Sequence, residues 1–245
     1  MRNKLLLIVA AMALPLCGFA QTEGGDDFGT VLSVEGTHRF NKKFSVEAEV
    51  EMRTRDDVKT VDRWSGGVQA SYKVLPWLKA SAGYTFLYDN NEKYNNSMSK
   101  KAEYWGPRHR FNVSLTGSWR VGNFDLSLRE RWQYTYRPEM TVDRIRMSDG
   151  AVLEDDKTYS GKGKNVLRSR ASVEYKIPDF PITPFVSVEA FNAWKLEKIR
   201  YTAGGEYKIN KKNTVELYYR YQHVNDDSEE EPNRHVIGLG YKFRF

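Results

Sequence analysis

The chain has 245 residues, 38 Lys and Arg against 32 Asp and Glu, 13% aromatic residues and one cysteine. A formal charge of +6 and a mean hydropathy of -0.66 look like a hydrophilic protein of one or two domains. A helical membrane protein is excluded, because beyond residue 20 no stretch approaches the roughly 20 consecutive apolar residues that a spanning helix needs. Disorder is excluded by 15 Tyr, 12 Phe and 6 Trp.

Residues 1–20 carry a basic start (Arg2, Lys4), an apolar stretch from Leu5 to Leu16 and a small-residue cleavage pattern, Gly18-Phe19-Ala20. A cleaved export signal over 1–20 is expected, with a barrel domain over 21–245. Cys17 lies inside the signal behind Pro15-Leu16, where lipidation would want a small residue, so it is expected to be removed. The mature chain then has neither disulfide nor thiolate chemistry available. Losing Arg2 and Lys4 lowers the formal +6 to +4. That is too mild a bias to suggest nucleic acid.

From residue 28 onward, apolar and polar residues alternate with the period of a strand. A first segment runs from Phe28 to Phe40. The apolar parity then reads Phe44, Val46, Ala48, Val50, Met52; Trp64, Val68, Ala70, Tyr72, Val74; and Leu78, Ala80, Ala82, Tyr84, Phe86, Tyr88. It continues through Phe111, Val113, Leu115, Trp119; Phe124, Leu126, Leu128, Trp132, Tyr134, Tyr136; Leu167, Ala171, Val173, Tyr175, Ile177; and Val186, Val188, Ala190. Ile199, Tyr201, Ala203, Tyr207, Ile209; Val215, Leu217, Tyr219, Tyr221; and Ile237, Leu239, Tyr241, Phe243, Phe245 complete it. The prolines of the mature chain fall in gaps or at strand starts, where a missing N–H does no damage.

A soluble sandwich would also alternate. Two features favour a membrane barrel. Tyr and Trp sit near strand ends, with Ala48, Ala70, Ala82, Ala171 and Ala203 between them, which is the aromatic girdle of a transmembrane barrel. Connections alternate between short ones (41–43, 75–77, 121–123, 178–181, 210–212) and generally longer polar ones (55–62, 89–107, 137–165, 225–233), with 195–198 as an exception. The expected fold is all-β, a transmembrane antiparallel β-barrel of 10–12 strands with eleven spans readable. Bacterial barrels usually have even numbers. A first span inside the lumen would leave ten, and a strand involving residues 21–27 would give twelve. Glu130 has the lipid-facing parity of Leu128 and Trp132, which calls for a bulge near Arg129–Arg131 or a register shifted by one.

Every second strand ends with an aromatic, a basic and an apolar residue: His38-Arg39-Phe40, Tyr72-Lys73-Val74, Trp119-Arg120-Val121, Tyr175-Lys176-Ile177, Tyr207-Lys208-Ile209 and Tyr241-Lys242-Phe243. The last copy, with Tyr241, Phe243 and Phe245 alternating to the terminus, resembles the C-terminal strand signal that the barrel-assembly machinery recognises. Asn41-Lys42-Lys43-Phe44, Asp62-Arg63-Trp64, Tyr72-Lys73 with Gly83-Tyr84, Arg108-His109-Arg110, Leu167-Arg168-Ser169-Arg170, Gly205-Glu206-Tyr207-Lys208 and Tyr218-Tyr219-Arg220-Tyr221 are further motifs. On these the chain resembles an uncharacterised family of bacterial exported barrels, the domain of unknown function 2490 family. The resemblance implies architecture and an outer-membrane location in a Gram-negative bacterium. It brings no activity.

No catalytic motif is legible. A lipid hydrolase of the outer wall needs a serine, a histidine and an orienting group that meet. His109, His223 and His235 fall at outer strand ends, and Ser114 lies on the strand face opposite His109. The acidic run 226–231 reads as a solvated loop, and Gly161-Lys162-Gly163-Lys164 lacks the spacing of a phosphate-binding loop. No cofactor or metal is expected.

The strongest lead is the inward parity: Arg108, Arg110, Arg129, Arg131, Arg168, Arg170, Arg200 and Arg220, with Glu47, Glu49 and Glu51 on one distant strand. Such ladders either cross-link a closed lumen or line an anion-preferring passage. The expected function is a passive narrow pore or a structural barrel with an Arg-rich lumen; an outer-membrane enzyme or a surface-adhesion barrel is the competing class. Expected partners are outer-membrane lipid, lipopolysaccharide and the assembly machinery, with no nucleic acid.

Overall fold

The computed structural model describes residues 26–95, 97–225 and 232–245. The expected export signal and the acidic run 226–231 lie outside the described residues. Every regular element among the described residues is a strand: β1 (Asp27–Arg39), β2 (Phe44–Arg55), β3 (Thr60–Leu75), β4 (Leu78–Tyr94), β5 (Lys100–Val121), β6 (Phe124–Arg137), β7 (Met140–Arg146), β8 (Val152–Tyr159), β9 (Lys162–Tyr175), β10 (Ile182–Asn192), β11 (Leu196–Lys208), β12 (Asn213–Val224) and β13 (Arg234–Arg244).

Eleven of them, β1–β6 and β9–β13, close into a barrel. Each pairs antiparallel with the next, and β1 pairs with β13 in parallel from Asp27↔Arg234 to Thr37↔Arg244. The odd count corrects both routes to an even number. β1 is a wall strand, hydrogen-bonded to β2 on one side and β13 on the other, rather than a segment in the lumen. Asp27, the described end of the proposed twelfth strand, starts β1 itself. A ring with an odd number of up-and-down strands must bring its first and last strands together in the same direction. A parallel ladder is only slightly less stable per residue than an antiparallel one, so closure costs little.

The short connections gather at one end of the barrel and are built by local hydrogen bonding. Asn41 Oδ1 accepts from the backbone N–H of Lys43 and Phe44, each at 2.8 Å, and Asn210 Oδ1 accepts from Lys212 (2.8 Å) and Asn213 (2.9 Å). Gly122, at φ +60°, opens the two-residue turn from β5 to β6. By the loop rule for bacterial barrels this is the periplasmic end, and β1 therefore starts at the external end.

The external end departs from the sequence expectation. Residues 89–107 are mostly strand: the β4–β5 ladder continues without a break to Tyr94↔Lys101. Residues 137–165 contain the β7–β8 hairpin, which joins the extension of β5 through Lys100↔Arg146 and Lys101↔Ile145. These ladders stand beyond the apolar band; one face is buried at Asn91, Ala102 and Tyr104, where Tyr159 of the hairpin stacks, but small and polar residues make up much of that face, so no alternating apolar parity results and the sequence reads as loop.

The outward face of the ring is apolar and exposed at Leu32, Val34, Val50, Val68, Val113, Leu115, Leu128, Val186, Val188, Leu217 and Leu239. Aromatic pairs edge this band: Trp77 on Trp119 (6.2 Å) and Phe124 on Tyr175 (4.8 Å) at the periplasmic end, Tyr88 on Trp105 (5.2 Å) at the other. A continuous exposed apolar belt of this kind belongs in lipid. Glu130 lies in it. The β5–β6 and β6–β9 registers run past Glu130 without a shift, opposing it to Leu115 and Ser169, which corrects the expected bulge or slipped register. The carboxylate points outward and accepts a hydrogen bond from Ser169 Oγ at 2.7 Å.

Candidate functional site: the lumen

Strand alternation sends the charged parity inward, and the barrel diameter decides what those side chains can reach. About eight strands leave an interior that side chains just fill, and sixteen or more leave a wide channel. At eleven strands, arginine is long enough to bridge part of the interior. Arg131, on β6, donates to Gln69 Oε1 on β3 at 3.0 Å, spanning the intervening β4 and β5.

Three levels can be followed along the axis. Near the external end, Asp89 on β4 sits between Arg63 and Arg108, the latter at 2.9 Å, and Arg108 also donates to Asn91 at 3.1 Å. At mid-barrel, Glu189 on β10 takes Arg129 on one oxygen (2.7 Å) and Arg168 on the other (2.9 Å), while Arg168 donates to Gln133 (2.9 Å). Glu51 pairs with Arg53 of its own strand at 2.6 Å. At the periplasmic end the sign changes: Lys242 is held between Glu206 (2.7 Å) and Glu216 (2.5 Å). Glu49, opposite Glu35 in the β1–β2 register, points inward yet is exposed, so side chains do not fill the lumen at this level.

Above the Glu189 level lies a cavity of about 410 Å³. Of its sixteen lining residues seven are Arg and four are Lys, and one, Glu197, is acidic. Phe191 forms part of its floor, with the guanidinium carbons of Arg168 and Arg200 each 4.6 Å from its ring centroid.

All the arginines and glutamates singled out in the sequence occupy the inward parity of their strands, but they do not form one site. Arg108, Arg110, Arg168 and Arg200 line the cavity. Arg129 and Arg131 are committed to the level beneath it, and Arg170 stands opposite Arg129 and Glu189. Arg220 lies over the Tyr218 ring at 4.8 Å and lines a separate space of about 30 Å³. Glu47, Glu49 and Glu51 follow one another along β2, and only Glu51 makes an ion pair among the described residues. Tyr241, Phe243 and Phe245 face outward at the periplasmic end, with Phe243 and Phe245 edge to face at 4.8 Å.

Several organising residues lie outside the arginine and glutamate ladders read from the sequence. Glu189 could have been found, since it alternates with Val188 and Ala190. So could Gln69, between Val68 and Ala70, and Gln133, between Trp132 and Tyr134; Asp89, followed by Asn90 and Asn91, carries no such signal. Phe191, inward and buried, contradicts the rule that the inward parity is polar.

The histidines are engaged elsewhere. His109 Nδ1 lies 2.8 Å from the Tyr84 hydroxyl on the outer wall, and Ser114 is 4% exposed on the lumen side. His235 Nδ1 is 2.6 Å from the Tyr219 hydroxyl and its Nε2 is 3.3 Å from Asp26; His223 stacks on Tyr221. No serine or other nucleophile completes any of these clusters among the described residues.

The family model described as "Protein of unknown function (DUF2490)" matches residues 28–233. Among solved structures, the chain is similar to the translocator domain of the autotransporter NalP from Neisseria meningitidis, with a TM-score of 0.56 and 11% identity over 98% of this chain and 95% of that one. It is also similar to the beta domain of the Bordetella autotransporter BrkA, with a TM-score of 0.55 and 10% identity over 84% and 86%. At such identities the likeness establishes the outer-membrane barrel fold alone. No curated protein matches the sequence.

Proposed function

We propose, for a chain that belongs to the DUF2490 family of proteins of unknown function, that it is a passive, narrow pore of the outer membrane with a preference for anions. The observation that carries this reading is the cavity in the outer half of the lumen, with eleven cationic residues against one acidic. Rings of Arg and Lys lower the electrostatic barrier for anions and raise it for cations. The exposure of inward-facing Glu49 supports a wet path past the Arg129–Glu189–Arg168 level.

The reading is non-catalytic. His109, His223 and His235 serve as amphipathic residues of the outer wall, and Ser114 serves the lumen packing. Export by a signal over 1–20, removed to leave a barrel over 21–245, puts the chain in the outer membrane of a Gram-negative bacterium. There lipid and lipopolysaccharide surround the apolar belt, and Tyr241, Phe243 and Phe245 serve as the mark read by the assembly machinery.

Purified protein in planar bilayers tests the reading. Discrete current steps are expected, and a membrane that stays insulating while folded protein is inserted would make the molecule a structural barrel instead.

A further inference from the structure

Several guanidiniums of the lumen have a carboxylate: Arg63 and Arg108 share Asp89, Arg129 and Arg168 share Glu189, and Arg53 has Glu51. Arg110, Arg131, Arg170, Arg200 and Arg220 have none among the described residues, and of these Arg110 and Arg200 line the cavity. Arg110 Nε donates to Thr135 Oγ1 at 3.3 Å and Arg200 Nε to Gln222 Oε1 at 2.8 Å, both neutral acceptors, and neither has an ion-pair partner among the described residues. Arg137, at the same cavity, has an Nε with no hydrogen-bond partner and likewise no ion pair among the described residues.

Inward-facing cations left without counter-charge are unfavourable unless something else neutralises them. The wall nevertheless holds them in place. Stacking on Phe191 fixes the Arg200 guanidinium beside that of Arg168, and the hydroxyl of Thr135 fixes Arg110. Each fixing contact uses one edge or one face of the guanidinium and leaves the fork of terminal N–H groups for a carboxylate or phosphate, which it matches with two parallel hydrogen bonds. The half-open space of about 410 Å³ falls in the range of small-molecule sites.

We propose that this cavity is a binding site for a soluble solute carrying several phosphate or carboxylate groups, held by Arg110, Arg137 and Arg200. The inference deepens the pore reading by naming the class of solute that would enter from the external end, and it rests on that reading only for the solute's onward passage.

The test is isothermal titration of the folded, detergent-solubilised full-length protein with inorganic tripolyphosphate, tricarballylate and orthophosphate. One tripolyphosphate per barrel is expected, bound roughly tenfold or more tighter than orthophosphate; the tricarballylate arm tells phosphate from carboxylate preference. Arg110→Gln and Arg200→Gln, each checked for folding by its mobility on unheated gels, should each weaken tripolyphosphate by about tenfold. Arg120→Gln, at the periplasmic rim, should leave it unchanged. Tripolyphosphate that binds no tighter than orthophosphate overturns the site, a comparison that needs no variant; so does an equal loss in Arg120→Gln. In bilayers, current steps that tripolyphosphate fails to block would overturn the site and leave the pore standing. Stoichiometric binding by a protein that gives no current would overturn the pore and leave the site standing.

Discussion

At the scale of single residues, two positions test the assignment of faces. Glu130 points into lipid with one hydrogen bond from Ser169. A carboxylate there is unfavourable, though less so than Lys or Arg at the same depth. Glu130→Leu is expected to raise stability by roughly 1–2 kcal/mol, read from denaturant unfolding in lipid vesicles. Ser169→Ala should destabilise the parent chain and have little effect in a chain already carrying Glu130→Leu; a Glu130→Leu that destabilises instead would mean the residue faces protein. Gly238 tests the inner face. A Cβ there would come 2.0 Å from the Tyr218 ring, which lies across it in the lumen. Gly238→Ala should cost about 1–3 kcal/mol, and Tyr218→Ala in the same chain should remove that penalty. The parity of Glu130 and Arg131 could be read from the sequence. What could not be read is that Glu130 has a partner, because Ser169 is 39 residues away and becomes its neighbour only through the β6–β9 ladder.

At the scale of elements, the hairpin β7–β8 and the extensions of β4 and β5 are held together by charge and ring contacts. Lys100 Nζ reaches Asp155 at 2.8 Å, Arg144 joins the same carboxylate, and Tyr104 stacks on Tyr159 at 5.6 Å. The hydrogen bond from Lys100, with the charge of Arg144, holds the Asp155 carboxyl below its usual range. A carboxyl with a folded value below its unfolded one stabilises the fold at neutral pH and loses that contribution as pH falls through the folded value. Limited proteolysis between residues 146 and 152 is therefore expected to speed up as pH drops below about 4, and Asp155→Asn should weaken the pH dependence, leaving the part due to Asp149, whose carboxyl the Ala151 N–H and Arg146 also hold low. An unchanged rate would show that the Lys100–Asp155–Arg144 cluster does not hold the hairpin. Lipid-bounded strands were legible because lipid on one side and water on the other write two different parities into the sequence. The extensions were not, because their buried face carries small and polar residues such as Asn91, Ala102 and Gly106 and leaves no such mark.

At the scale of the whole molecule, the closure by parallel β1 and β13 fixes where the chain enters the wall. An epitope placed just before Asp26 is expected to be reached by antibody on intact cells, and protection until the membrane is opened would contradict the eleven-stranded ring. The strand count was readable from the alternation, but the closure was not: nothing in a strand's own sequence states which neighbour seals the seam. The charge of the lumen was legible as a list of arginines, whereas its division into a cation-lined outer cavity and an acid-rich periplasmic end depends on Asp89, Glu189, Glu206 and Glu216 arriving from four different strands. The most direct measurement of the central claim is the reversal potential of the purified protein in a planar bilayer under a steep KCl gradient. A lumen lined as this one is should draw it toward the chloride equilibrium potential, and Arg110→Glu with Arg200→Glu should move it back toward that of potassium. A potassium-selective reversal potential in the parent chain would contradict the anion-preferring pore.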